Sequence, residues 1–120
     1  MSKEVQEQLN QITQNIVAKF KPERIVLFGS YASGKPSEDS DFDLLVIKNT
    51  KLRPIDRDRE VRRVLPADRK KGVDLIIITP QEADRAFREK NIFINKLFNE
   101  GKELYAKDKR DFGLVKKSRR

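Results

Sequence analysis

Residues 24–47 read RIVLFGSYASGKPSEDSDFDLLVI and are the most informative part of the chain. It begins and ends with short, continuous apolar runs, RIVLF and FDLLVI, a pattern typical of buried strands. Gly29 directly follows the first run, and glycine permits the positive φ and the close backbone approach of a tight turn. Asp41 and Asp43 stand where the second run begins. The stretch predicts two strands of a small sheet, with a Gly-Ser turn and two carboxylates gathered at one edge.

A third apolar run, residues 73–78, is the most β-branched part of the chain and predicts another strand. Asp74 interrupts this run at a position where an unpaired buried carboxylate would be costly. One explanation is an ion pair with one of the many Arg and Lys side chains. Alternatively, the third strand lies beside the second, which would bring Asp74 to Asp41 and Asp43.

The remaining segments have helical patterns or turn signals. The first helix is expected over residues 3–20, with Ser2 as its N-cap and an apolar stripe at helical spacing. Further helices are expected from Pro54, from Pro80 to about Phe87 after a Thr79 cap, and over residues 91–99 up to Gly101, with a short helical turn at 31–34 and an edge strand at 104–106. The apolar contacts expected on the helices from Pro54 and over 91–99 are Ile55, Val61, Val64, Leu65, Ile92, Phe93, Ile94, Leu97 and Phe98.

Composition limits the possible chemistry of this 120-residue chain, which has neither cysteine nor histidine. Disulfide frameworks, thiol nucleophiles, zinc–thiolate sites and His-dependent nucleophile schemes are therefore excluded. No apolar stretch approaches the roughly 18 residues of a membrane span, and no signal peptide opens the chain, so we expect a cytoplasmic protein. Residues 107–120 hold seven Lys/Arg and two Asp and contribute +5 of the net +8 charge. The predicted organisation is one domain over residues 1–106 and a basic tail over 107–120.

The acidic residues predict a metal site. On a strand, the side chains of Asp41 and Asp43 would project from the same face, while Phe42 would point to the other face, into the core. Two neighbouring carboxylates repel each other unless a cation neutralises them, and carboxylate oxygens suit Mg²⁺. The Gly29–Ser30 turn could bind a phosphate group through backbone amides, although a Gly-Ser after a strand is also an ordinary turn.

These residues resemble the signature of the polymerase-β-like nucleotidyltransferase superfamily: Gly29-Ser30, ten residues, Asp41-x-Asp43, and a later Asp74 on a strand. The segments LFGSYASG and SDFDLLV look especially like minimal nucleotidyltransferases, the MNT antitoxins encoded beside HEPN-domain ribonuclease toxins. The resemblance covers about residues 20 to 106. It implies an α/β (α+β) nucleotidyltransferase fold, a small mixed β-sheet with helices packed mainly on one face.

The resemblance also implies roles for individual residues. Asp41 and Asp43 would bind Mg²⁺, two ions in all, and Asp74 would complete the metal site and assist deprotonation of the attacking hydroxyl. Gly29 and Ser30 would hold the triphosphate of ATP. One departure concerns Ser33, where many relatives carry an arginine that helps to bind phosphate. Lys35 is a possible substitute for it.

The leading functional hypothesis is an antitoxin that transfers AMP from ATP to a tyrosine hydroxyl of a partner HEPN toxin. The shortness of the chain favours a protein acceptor, because relatives acting on antibiotics or RNA usually need an added domain for the acceptor. Three alternatives stay open: a non-catalytic subunit that neutralises its partner by contact, a nucleotidyltransferase for a small-molecule or RNA acceptor, and a nucleic-acid binder acting through the basic tail.

Overall fold

The computed structural model describes residues 1–108 and shows an α/β arrangement around one four-stranded sheet. The predicted fold class is confirmed. In chain order the elements are α1 Lys3–Phe20, β1 Arg24–Phe28, α2 Ser30–Ser33, β2 Phe42–Ile47, α3 Pro54–Val64, β3 Val73–Ile78, α4 Pro80–Arg88, α5 Ile92–Glu100 and β4 Lys102–Ala106. The predicted basic tail lies almost entirely outside the described residues and stays a prediction. No helix within residues 1–108 is long and apolar enough to cross a membrane.

The sheet has the strand order β3-β2-β1-β4 and is mixed. β1 pairs antiparallel with both β2 and β4, whereas β2 and β3 are parallel. A parallel pair needs a crossover connection, and α3 supplies it. Because β1 runs opposite to β2 and β3, the end of β1 lies at the same end of the sheet as the starts of β2 and β3. The end of the sheet nearest Gly29 is therefore also the end nearest Asp43 and Asp74.

Helices cover both faces of the sheet, not mainly one face as the resemblance implied. Leu44 and Val46 of β2 pack with α1 and α3, while Leu45 and Ile47 pack with α4 and α5. All four of these side chains are fully buried. The physical reason is visible in the strand itself, since a continuous apolar run has apolar groups on both faces and both must be covered.

Helix boundaries follow their capping residues. The Ser2 hydroxyl accepts the Val5 N–H at 3.2 Å, as predicted. Thr79 and Glu82 form a reciprocal capping box at the start of α4. Gly101 does close α5, but its φ is −76°, so it is not a left-handed stop. Its lack of a side chain matters instead because a Cβ there would lie 2.6 Å from the Leu97 carbonyl oxygen.

Two of the predicted apolar contacts are wrong. Ile55 and Ile92 are 60% and 84% exposed, because each lies about half a turn away from the buried residues of its helix. Phe93 is 50% exposed, and its ring packs against the ring of Phe28. The buried contacts are Val61 in α3 and Ile94, Leu97 and Phe98 in α5.

A buried arginine joins α3, β3 and α4, and nothing in the helical pattern indicated it. Arg57 is 6% exposed. Its guanidinium donates to Glu82 Oε1 and Oε2 at 2.8 and 3.1 Å, and to the carbonyl oxygens of Leu52 and Ile77 at 2.9 and 3.2 Å. The hydrogen bond from Arg57 lowers the pKa of the Glu82 carboxyl. This ion pair therefore fixes the helix that follows β3.

We expect Arg57→Met to lower the free energy of unfolding by about 2 kcal/mol or more, because two buried carbonyl groups lose their donor while the apolar stem is kept. Arg53→Ala is the control, since Arg53 forms an exposed pair with Asp56 on the same helix and should leave stability nearly unchanged. Chemical denaturation of both variants checks the expectation. Equal losses in the two variants would show that the buried network contributes nothing of its own.

Candidate active site

Two aspartates lie side by side at the start of the parallel strand pair. Asp43 of β2 and Asp74 of β3 are direct partners in the strand register, and their carboxyl groups are close enough for one to donate a hydrogen bond to the other when it is protonated. Because side chains alternate along a strand, both carboxyl groups project from the face of the sheet on which α4 and α5 pack. The alternative explanation of Asp74, an ion pair with Arg or Lys, is not seen among the ion pairs of the described residues.

Asp74 is exposed, contrary to the expectation of a buried carboxylate. The reason is topological: β3 is the edge strand of the sheet, so Asp74 has a neighbouring strand on one side only. Asp43, one strand further in, is partly buried. The pair therefore combines one sheltered carboxylate with one that an incoming molecule can reach.

The third acid, Asp41, lies just before β2 and not within it. Its carboxylate accepts a hydrogen bond from the Gly72 N–H at 3.2 Å, in the loop that leads into β3. A Cβ at Gly72 would lie 2.9 Å from the Asp41 carboxyl carbon, so the two segments meet only because residue 72 is glycine. Gly72 was not recognised from the sequence, since its role depends on a neighbour 31 residues away.

The Gly29 turn is built against Asp43. Phe28 and Asp43 are partners in the antiparallel β1–β2 register, which places the following glycine beside the carboxylate. Gly29 has φ +76° and ψ −153°, a conformation nearly restricted to glycine. A Cβ at this position would lie 2.1 Å from Asp43 Oδ2. The sequence pattern correctly indicated a tight turn, and the structure adds that the turn and the carboxylate are in contact.

The short helix α2 holds the turn in place through an aromatic contact. Tyr31 is buried and its ring lies 5.0 Å from the ring of Phe42, which enters the core as predicted. Lys71 lies over the Tyr31 ring at 5.7 Å and also donates to the Glu38 carbonyl oxygen. These contacts connect α2, the loop before β2 and the loop before β3. Neither Tyr31 nor Lys71 was identified from the sequence.

The electrostatics of the site favour a cation. The pKa of Asp43 is raised to about 6 by its burial, by its hydrogen bond with Asp74 and by the negative charges of Asp74 and Asp41. Within residues 1–108, no three acidic, His or Cys groups converge closely enough to hold one metal ion together. Two adjacent carboxylates nevertheless fit Mg²⁺, because this ion usually takes one or two carboxylates and fills its other positions with water and substrate phosphates.

The raised pKa of Asp43 predicts a pH dependence of stability in the metal-free protein. A carboxyl whose folded-state pKa lies above its ordinary value of 3.8 stabilises the fold at low pH, and this stability is lost as pH rises through about 6. Relative to Asp43→Asn, the free energy of unfolding of the native chain should fall by on the order of 1 kcal/mol between pH 4 and pH 7, after allowance for solvent screening. Denaturation of both proteins with a chelator present measures this difference. A difference that does not vary with pH would contradict the proximity of the carboxylates.

Comparison with known proteins places this geometry in a family. The sequence profile of the family described as "Polymerase beta, Nucleotidyltransferase" matches residues 10–110. A protein of Methanocaldococcus jannaschii, named as a candidate protein adenylyltransferase, is 36% identical over 104 residues, which span 83% of this chain and 71% of the relative.

Solved structures show the same fold. A crystal structure of a toxin–antitoxin with AMP-PNP matches with a TM-score of 0.60 and 23% identity, over 91% of this chain and 82% of the other. A mutant of the toxin–antitoxin MntA-HpeT matches with a TM-score of 0.61 and 25% identity, over 92% and 81% of the two chains. The profile match over residues 10–110 and the 36% identical relative show that the chain belongs to the polymerase β nucleotidyltransferase family and is a nucleotidyltransferase.

Proposed function

We propose that this protein transfers AMP from ATP to a tyrosine hydroxyl of a partner HEPN ribonuclease toxin in the cytoplasm, and thereby acts as its antitoxin. The observation that carries the proposal is the close approach of Gly29 to Asp43, which is in turn the register partner of Asp74. It brings a backbone turn of phosphate size to two carboxylates suited to Mg²⁺. Support for a protein acceptor comes from the archaeal relative, and support for a toxin partner comes from the toxin–antitoxin structures.

Asp43, Asp74 and Asp41 would hold Mg²⁺, two ions in the family pattern, whose charge acidifies the attacking hydroxyl and neutralises the leaving pyrophosphate. The acceptor oxygen forms a bond to the α-phosphorus of ATP, and the bond from that phosphorus to the bridging oxygen of pyrophosphate breaks. Asp74 assists removal of the hydroxyl proton, a role that its exposed position on the edge strand allows. Gly29 and Ser30 position the phosphates that leave.

The helix geometry is compatible with phosphate binding at the turn. The amides of Ala32 and Ser33 donate to the Gly29 carbonyl oxygen. The hydrogen bonds within α2 therefore begin at Ala32, after the amides of Ser30 and Tyr31. The position of Ser33, at which many relatives have arginine, lies in a cleft beside the turn that also contains Lys96. Lys96 therefore joins Lys35 as a candidate to supply the missing positive charge.

The test incubates the pure protein with α-labelled ATP, Mg²⁺ and a candidate HEPN-domain partner from the same genome. We expect label on a tyrosine of the partner, with label absent when Asp43→Asn is used and retained with Asp84→Asn, which changes an exposed carboxylate on α4. A stable complex that silences the toxin without label would overturn the proposed transfer and support neutralisation by contact. Label on RNA or on a small molecule instead would overturn the protein acceptor.

A further inference from the structure

A cleft of about 420 Å³ lies between α2 and α5, directly beside the Gly29 turn. One wall is formed by Gly29, Ala32 and Ser33, and the other by residues of α5 that include Phe93 and Lys96. The volume is in the range of small-ligand sites, which combine apolar walls with a few polar groups. The proposed transfer uses only the rim of this cleft, at Gly29 and Lys96, and assigns no role to its apolar walls.

Phe93 is the distinctive residue of the cleft. It is 50% exposed, although α5 already buries Ile94, Leu97 and Phe98 against the sheet. Its ring is held edge-on against the ring of Phe28, with centroids 5.9 Å apart and planes at 86°. The core therefore does not require Phe93 as a buried residue, yet Phe28 restrains its orientation. A restrained aromatic ring that lines an open cleft is a suitable surface for another flat, apolar group.

The position of the cleft relative to the carboxylates decides what it can hold. Across the end of the sheet the order is Asp74 on β3, Asp43 on β2, the Gly29 turn after β1, and then the cleft. In an in-line displacement the attacking and leaving groups lie on opposite sides of the phosphorus. The exposed Asp74 lies on the side away from the cleft, which leaves that side to the acceptor. The leaving pyrophosphate would lie at the Gly29 turn, and the base, which is joined through ribose to the α-phosphate, can reach the adjoining cleft without entering the acceptor side.

We propose that the α2–α5 cleft binds the nucleobase of the nucleoside triphosphate, which stacks on Phe93. This inference rests on the proposed function for the presence of a nucleotide at the Gly29 turn. A mostly apolar cleft is better suited to a stacked base than to a polyphosphate chain. Lys96 and Glu100 also line the cleft and supply polar groups of both signs for the edge of the base.

The test compares the binding of Mg-ATP with the binding of Mg-tripolyphosphate, which lacks a base, by calorimetry without any acceptor. Phe93→Ala should weaken Mg-ATP binding about tenfold, the loss expected for one stacked base, and leave tripolyphosphate binding unchanged. Phe93→Trp should retain Mg-ATP binding because it keeps a ring face. Ile92→Ala is the matched control, since Ile92 is the neighbouring apolar residue on α5, is more exposed and does not line this cleft.

Unchanged Mg-ATP affinity in Phe93→Ala would overturn the inference, as would an equal loss of affinity for tripolyphosphate or a raised KM for the acceptor protein with unchanged Mg-ATP affinity. The last outcome would assign the cleft to the acceptor. Selective loss of Mg-ATP binding, in a protein that labels no partner, would support the nucleobase site and reject the proposed acceptor. A native chain that binds neither ligand would overturn the inference together with nucleotide binding.

Discussion

Asp43→Asn should reduce nucleotide transfer by on the order of 10³-fold or more while raising the stability of the metal-free protein. Both effects have one cause. The carboxylates of Asp43 and Asp74 lie side by side at the end of the parallel strand pair, and the nearby charge of Asp41 adds to their repulsion. Removing one charge relieves that repulsion in the absence of a cation, and it also removes a ligand for Mg²⁺.

The measurements are pyrophosphate release under saturating ATP and the melting temperature with and without Mg²⁺. In a chelator at pH 7 we expect Asp43→Asn to melt about 4 °C above the native chain, the shift that corresponds to roughly 1 kcal/mol in a domain of this size. Added Mg²⁺ should raise the melting temperature of the native chain and have little effect on the variant. Asp84→Asn should match the native chain throughout. A variant that keeps its response to Mg²⁺, or loses activity without becoming more stable, would argue against a metal site at this pair.

Gly29→Ala should reduce transfer by on the order of 10²-fold or more, whereas Gly34→Ala should leave transfer nearly intact. The two glycines flank α2 and share a positive φ, +76° and +80°. They differ in their surroundings: a Cβ at Gly29 would lie 2.1 Å from Asp43 Oδ2, while a Cβ at Gly34 would meet nothing within 4 Å. Gly34→Ala therefore has the strain of the left-handed region, about 1–2 kcal/mol, and Gly29→Ala, at ψ −153°, has roughly 1–3 kcal/mol, but only Gly29→Ala displaces a proposed metal ligand.

Transfer assays on the two purified variants, with melting curves as the check of folding, separate strain from displacement. If both variants lose activity in proportion to their loss of stability, the contact between Gly29 and Asp43 has no specific role. If Gly29→Ala is inactive while it retains most of its stability, the turn must remain free of a side chain for the carboxylate to reach its position. This outcome would also explain why the turn is glycine, apart from its backbone conformation.

Local sequence patterns determined most elements of the fold. The apolar runs at β1, β2 and β3 were predicted within the observed bounds, because a continuous apolar run of five or six residues between turn signals has few other stable placements. Helix α1 was likewise predicted from its apolar stripe and its Ser2 cap. The composition, with neither histidine nor cysteine, had already limited the possible chemistry to carboxylates, hydroxyls and basic groups. The spacing of Gly29, Asp41, Asp43 and Asp74 then indicated the family.

The tertiary structure alone decided how those residues meet. Asp43 and Asp74 are 31 positions apart and become partners only through the parallel register of β2 and β3. The exposure of Asp74 depends on β3 being an edge strand. The hydrogen bond from Gly72 to Asp41 depends on the loop that leads into β3. The same reason applies to the contact of Phe93 with Phe28. Local periodicity shows which face of an element is apolar, but the order of strands shows what that face will contact.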